Sequence, residues 1–273
     1  MHTLWKGSIS FGLVNIPIKM FAATEDKDIR FRYIHKECHT PIKYEKVCPT
    51  CQKNIAEGDI VRGYEYEPGR FVILDQADFD SLKSVVQSRS IEILDFVNLE
   101  EIDPIYFAKS YYLSPQDNNF NAYNLLKKVM QDTKKIAVAK VSIRNKQSLA
   151  VLRIFNDILM METIFYPDEI RATSLVPGLP EETAEINEKE IDIATQLVEN
   201  LTEPFDPKKY TDDYRVALHN LINKKIEGKD IEVAPEVPER NVIDLMEALK
   251  ASVKETKKPA KPKKKTASKR KTG

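Results

Sequence analysis

Apolar and polar residues alternate with a period of two at the start of the chain. Ile9, Phe11 and Leu13 interleave with Ser8, Ser10 and Gly12, the pattern of a half-buried strand. The phase then shifts to Val14, Ile16 and Ile18, so Gly12 or Pro17 is expected to mark a bulge or an edge. Trp5, the single tryptophan, reads as a packing anchor next to this strand. Further strands are predicted over Ile29 to His35, Ile42 to Val47, Ile60 to Tyr66, Phe71 to Leu74 and Ile91 to Val97. Others follow over Ile105 to Leu113, Ile136 to Ile143 and Leu149 to Phe155.

Two helices interrupt these strands. Asp75 and Asp78 precede an apolar stripe of Phe79, Leu82, Val85 and Val86, which reads as a capped helix, and Asn121 to Gln131 forms the second. Short strands without regular helical crossovers favour a mixed or antiparallel barrel over a doubly wound sheet. After Pro180 the period becomes helical, with Ile191, Ala194, Val198 and Leu201 spaced by three and four until Pro204 and Pro207. Thr211 is the expected cap of a second such helix, Asp212 and Asp213 suit its first turn, and Gly228 its C-terminal stop. Its apolar side is Tyr214, Leu218, Leu221 and Ile222. A connection rich in Pro and Glu then leads to Val242, Leu245, Met246 and Leu249, a short amphipathic helix that either docks on its own body or awaits a partner. No internal repeat is evident.

Charge changes this picture more than composition does. The 42 basic and 42 acidic residues cancel, but Lys254 to Gly273 carries a net +9, so the preceding residues carry −9. This tail of Lys, Ala, Pro and Thr has no apolar face. It is expected to be disordered and to seek polyanions, with a merely solubilising role as the plainer reading. Inside the body, Lys127 to Arg153 is +7 and Asp157 to Asp206 is −11. One surface that meets nucleic acid and another that avoids it would give this pattern, as would two ordinary solvated faces. No run of about 18 apolar residues and no signal-peptide core occurs, so a soluble cytoplasmic protein is expected.

The sharpest chemical motif is His35-x2-Cys38-His39-x8-Cys48-Pro49-Thr50-Cys51. Two ligand pairs joined by a hairpin-length stretch can close a tetrahedral zinc site through His35, Cys38, Cys48 and Cys51, with His39 as the alternative to His35. Four protein ligands leave no open position, which makes such a zinc structural. A redox Cys-x-x-Cys lacks its usual βαβ context, and simple free thiols remain a third reading. No phosphate loop, nucleophile elbow or His-Glu-x-x-His pair is found, so a non-catalytic protein with no required cofactor is expected. A lysine amine can form a Schiff base with an abasic sugar, but nothing singles one out for lyase chemistry.

The run Leu4-Trp5-Lys6-Gly7-Ser8-Ile9-Ser10-Phe11-Gly12-Leu13-Val14-Asn15-Ile16-Pro17-Ile18-Lys19 resembles the bacterial Ku proteins. Gly63-Tyr64-Glu65, Phe96-Val97, Asp103-Pro104, Tyr111 to Pro115, Asp168 to Arg171, Tyr210 to Lys229 and Asp244 to Leu249 echo the same family in order. Many Ku-like bacterial sequences also carry a Cys/His cluster in this place.

The resemblance implies an α+β fold. Residues 1–180 form a β-barrel core with inserted ring-forming strands, 181–229 a helical dimerisation arm, 230–253 a linker and ligase-contact helix, and 254–273 a disordered basic tail. It implies a homodimeric ring threaded on double-stranded DNA ends. The ring would associate with the nucleoid and recruit an ATP-dependent multifunctional DNA ligase for non-homologous end joining.

Candidate DNA contacts are Arg62, Arg70, Lys127, Lys128, Lys134, Lys135, Lys140, Arg144 and Lys146, with Lys261, Lys263, Lys264, Lys265, Lys269, Arg270 and Lys271 of the tail. Leu245, Met246 and Leu249 are the candidate ligase anchors. The competing class is a zinc-ribbon adaptor or regulator that binds nucleic acid without end specificity.

Overall fold

The computed structural model describes residues 1–82, 89–116, 120–143, 146–179, 187–228, 249–250 and 253. Two compact units divide the chain, Met1–Pro177 and Gly178–Gly273. Among the described residues no helix is long and apolar enough to cross a membrane.

The opening alternation is a hairpin and not one bulged strand. β1 (Trp5–Phe11) and β2 (Val14–Ala22) pair antiparallel with Phe11 opposite Val14, leaving Gly12 and Leu13 as a two-residue turn. Gly12 has φ +58°, which a side chain would oppose, and this explains why the apolar phase changes there. Pro17 sits inside β2 at no cost to the ladder. Pairing with the next strand stops at Ile18, and the Pro17 carbonyl accepts from the Gln116 N–H at 2.9 Å.

Seven strands close a barrel in the order β1, β2, β6 (Phe107–Pro115), β9 (Ile158–Ile164), β8 (Lys146–Phe155), β7 (Ile136–Ile143) and β5 (Ser90–Val97). Every pairing is antiparallel except the parallel β1 to β5 contact that completes the circle. A mixed or antiparallel barrel is the sequence expectation, and the single parallel pairing makes it mixed. Strand β9 was not foreseen. Asn156 and Asp157, with φ 46° and 66°, form a two-residue turn that pairs Phe155 with Ile158. Its unbroken Ile158-Leu159-Met160-Met161 run lacks the alternation by which the other strands announce themselves. β6 also begins two residues later than expected, because Asp103 accepts from the Ile105 N–H and holds Pro104–Tyr106 in a 3-10 turn.

Inward residues including Ile9, Ile18, Ile91, Leu113, Leu152 and Met161 fill the barrel, and Ala137, Ala139 and Ala150 keep it narrow. α2 (Phe120–Thr133) adds Tyr123, Leu126 and Met130 to this core. The buried Tyr123 hydroxyl donates to the Leu113 carbonyl at 2.8 Å and accepts from the Leu159 N–H at 3.0 Å, tying α2 to β6 and β9. Burial pushes the Tyr123 phenol up from its ordinary pKa, against the lowering effect of the Leu159 bond. A second cluster on the outer face joins Ile136, Val151 and Ile164 to Val97, Ile102, Tyr106 and Phe107. On the same face Glu162, the one buried charged residue among those described, accepts from Arg153 at 2.6 and 3.2 Å and from the Ser110 hydroxyl at 3.1 Å.

Between β2 and β5 the chain leaves the barrel. The strands expected over 29–35 and 42–47 do not form; only isolated bridges join Ile34 to Pro41 and Val47 to Asn54. Each of those segments runs into a tight turn before a ladder can propagate. β3 (Arg62–Glu67) and β4 (Arg70–Leu74) make a separate two-stranded sheet, followed by α1 (Gln76–Ser81). The expected cap is present, with Asp75 accepting from the Asp78 N–H and Asp78 from the Asp75 N–H. Val85 and Val86 lie outside the described residues.

The second unit contains α3 (Glu188–Leu201) and α4 (Asp213–Ile226). Asp212, not Thr211, caps α4, accepting from the Arg215 N–H at 2.9 Å, while the Thr211 hydroxyl donates to Asp213. Gly228, at φ +69°, ends α4 as expected. Residues 254–273 of the expected disordered tail lie outside the described residues.

Gly7 sets the tightest packing constraint. A Cβ there would stand 2.1 Å from the Trp5 ring and 2.2 Å from the Arg89 carbonyl, which accepts the Ser8 N–H. Gly7→Ala is therefore expected to cost the barrel about 3 kcal/mol through overpacking at the β1 to β5 seam. Urea unfolding followed by Trp5 fluorescence reads this directly, and an unchanged midpoint would refute the packing account.

Candidate nucleic-acid interface

The sequence-predicted metal ligands fall on two turns of one construction. The His35 N–H donates to the Thr40 carbonyl and the His39 N–H to the His35 carbonyl; the Cys48 N–H donates to Lys53 and the Gln52 N–H to Cys48. His39 and Gln52 occupy the same position and share a left-handed φ, 53° and 54°. His35 thus corresponds to Cys48, and Cys38 to Cys51.

Within the first turn His35 Nδ1 lies 3.1 Å from Cys38 Sγ. The Cys38 thiol is pulled below its ordinary pKa by hydrogen bonds from Thr40, side chain first. The Cys48 thiol is lowered by the Cys51 N–H, then by the Cys51 thiol. The donor types suit zinc, and each turn presents a ready pair. Among the described residues, however, no three His, Cys, Asp or Glu side chains converge on one metal position. The four candidate ligands therefore stand as two separate pairs.

Arg62 and Arg70 lie at opposite ends of the β3–β4 sheet, Arg62 opposite Leu74 and Arg70 opposite Glu67. Arg62 stacks 4.8 Å above the Phe79 ring, and Arg70 pairs with Glu67 at 2.9 Å. Every residue of β3 is exposed, including Tyr64 and Tyr66, as are Phe71, Val72 and Ile73 of β4. A two-stranded sheet open on both faces is marginal by itself, so this one has surface to offer a partner.

The basic segment Lys127 to Arg153 is not one face. Lys127, whose side chain is 19% exposed, donates to the Asp157 carboxylate at 3.0 Å and to its carbonyl at 3.2 Å. Lys128 pairs with Asp132, Lys135 donates to Asn98, and Lys146 stands 3.9 Å from Glu169. Lys134 follows α2 with φ 55°, and Lys140 lies on β7 opposite Glu92 and Leu149. Arg144 and the tail residues from Lys261 to Lys271 are outside the described residues.

Sequence reasoning missed another basic pair. The hairpin register sets Lys6 directly opposite Lys19, and among the described residues neither has an acidic partner. Like charges opposed across a ladder repel, unless an anion lies over them. Reading Gly12-Leu13 as a turn would have revealed the pair.

A closed mixed barrel with a long excursion carrying two matched turns and an exposed hairpin defines a class of domain. A family described as "Ku70/Ku80 beta-barrel domain" matches residues 10–193. The chain belongs to the Ku family. It is 51% identical to the "Non-homologous end joining protein Ku" of Bacillus subtilis, covering 95% of this chain and 84% of the relative. Proteins of the same name from Heliobacterium modesticaldum and Desulfitobacterium hafniense are 48% and 50% identical, over 94% and 93% of this chain and 93% and 87% of theirs.

Lys127 and Gln131 hold the Asp157 carboxyl below its ordinary pKa, the Lys127 hydrogen bond being the largest cause. A depressed native pKa adds stability above the unfolded value of about 3.9, and that stability is lost as pH falls through the native value. Asp157→Asn should therefore lower the barrel's urea midpoint at pH 7, with the difference from the parent shrinking below about pH 4. A difference that persisted unchanged to pH 2 would exclude this pairing as the cause.

Proposed function

We propose that this chain binds double-stranded DNA ends without sequence preference, as a homodimeric ring, and serves the rejoining of double-strand breaks. The observation that carries this reading is the match to the Ku barrel over residues 10–193, with relatives named for non-homologous end joining that align along nearly the whole chain. The uncovered β3–β4 sheet supports a second copy completing the ring. So do α3 and α4, neither of which has a buried residue and whose Ile191, Val198, Leu201 and Tyr214 are exposed.

The DNA contacts are electrostatic and directed at the phosphate backbone. Lys6, Lys19, Lys134 and Lys140 join Arg62 and Arg70 as ring-lining candidates, and Lys127 serves mainly to hold α2. The basic tail adds contacts that do not require an end. The role is non-catalytic, and an ATP-dependent ligase is the partner recruited through the segment around Leu245, Met246 and Leu249. Leu249 is half-buried; Leu245 and Met246 lie outside the described residues.

Threading through a ring demands a free end, whereas simple adhesion does not. The protein truncated after Ser252 should prefer a linear duplex over the same sequence covalently closed, and should stay trapped when the bound fragment is circularised. Equal binding to circles and linear DNA would put the end-indifferent adaptor in its place.

In the same reading, His35, Cys38, Cys48 and Cys51 hold one structural zinc that cross-links the two turns, with His39 the substitute for His35. Metal analysis of the purified chain should find about one zinc per chain, and Cys48→Ser should lose it. Limited proteolysis should then cut the variant faster between β2 and β3. A metal-free parent with the same cleavage rate as Cys48→Ser would exclude the site.

A further inference from the structure

At one end of the barrel, residues of β6, β7, β8 and β9 and of the segment after β9 line a cavity of about 500 Å³. The registers set Tyr111 opposite Met161 and Ser148 opposite Val141, and both partners belong to the barrel core, so the cavity continues the barrel interior outward. Barrel mouths of this size are common seats for small ligands.

Its lining combines two chemistries. Lys109 and Lys146 supply ammonium groups, and the single carboxylate, Glu169, is already engaged. It accepts from the Tyr166 N–H at 2.8 Å through one oxygen and stands 3.9 Å from the Lys146 ammonium with the other. Lys109 has no ion-pair partner among the described residues, which leaves the mouth with a surplus of positive charge. In the same lining Phe165, 39% exposed, and the half-buried Tyr166 offer aromatic surface. The half-buried Ser148 hydroxyl also has no hydrogen-bond partner among the described residues. Cations beside aromatic rings and a free hydroxyl match a ligand that joins a phosphate to a planar base.

We infer that the barrel mouth binds one nucleotide unit, its phosphate at Lys109 and Lys146 and its base against Phe165 and Tyr166. Two sources share this chemistry: a free mononucleotide, or the unpaired terminal nucleotide of a broken strand. The second rests on the end-binding reading above, and the first does not.

The test uses the full chain. Anisotropy of a fluorescently labelled deoxyadenosine monophosphate is titrated against the parent, Lys109→Glu and Ser148→Leu, the last filling the cavity without altering charge. Saturable binding by the parent is expected, weakened at least tenfold in both variants while their thermal melting is kept. Binding to blunt duplexes and to duplexes with four unpaired 3′ nucleotides is measured beside it. If the variants lose only the mononucleotide, the free ligand is the source; if they also lose a preference for the unpaired end over the blunt one, the strand terminus is.

No saturable signal for either source, equal displacement of the labelled probe by inorganic phosphate, or binding indifferent to Ser148→Leu would overturn the inference. Failure of the parent to bind any duplex would defeat the end-binding reading alone, because the mononucleotide titration stands without it.

Discussion

Closure of the barrel turns on a short parallel seam, Ser8 to Ser10 of β1 against Ser90 to Glu92 of β5. All other neighbours in the barrel are antiparallel. The seam joins the first strand to one that returns only after the long excursion from β2. It works because Gly7 lets the Arg89 carbonyl approach while Trp5 covers the join. Without that contact, β1 and β5 would be the free edges of an open sheet. The barrel thus acts as a clasp, holding both ends of an exposed segment whose own packing is slight.

The excursion is economical in buried surface and rich in local hydrogen bonding. Its paired turns, its two-stranded sheet and the Asp75 cap are each satisfied by near neighbours in sequence. Hardly any large apolar side chain is buried there, and Phe31, Tyr33, Tyr44, Tyr64 and Phe71 stay exposed. Such a segment has definite local shape with little independent stability, which suits a surface completed by something else. The open apolar faces of α3 and α4 pose the same physical problem in the second unit.

Much of the barrel could be read from alternation. β7 falls where a period of two put it and β5 begins one residue earlier, because each has one face in the barrel and one outside. β9 escaped because it is buried on both faces: Met160 and Met161 are both covered, so no alternation was left to detect. The false strands over 29–35 and 42–47 show the reverse error. Their apolar residues alternate, but the turns at His35 to Thr40 and Cys48 to Lys53 curl the chain before a ladder can extend. The motif that marked those turns was legible from its cysteines; that it cut the strands short was not.

The candidate surface was half legible. Net charge located a basic stretch, but charge counting cannot tell a free lysine from one already held by a neighbour. Lys127 is the clearest case: Asp157 lies thirty positions away in sequence, and only the turn between β8 and β9 brings its carboxylate to α2. The Lys6 and Lys19 pair is its mirror image, since a hairpin register opposes two charges that are separate in sequence. The sequence alone determined the strand-rich class, the paired-turn motif, the Asp75 cap and the charge of the tail, because these depend on residues within a few positions of one another. Closure of the barrel, the cavity at its end and the distinction between paired and unpaired cations were decided by tertiary structure, because each depends on distant strands meeting in one register.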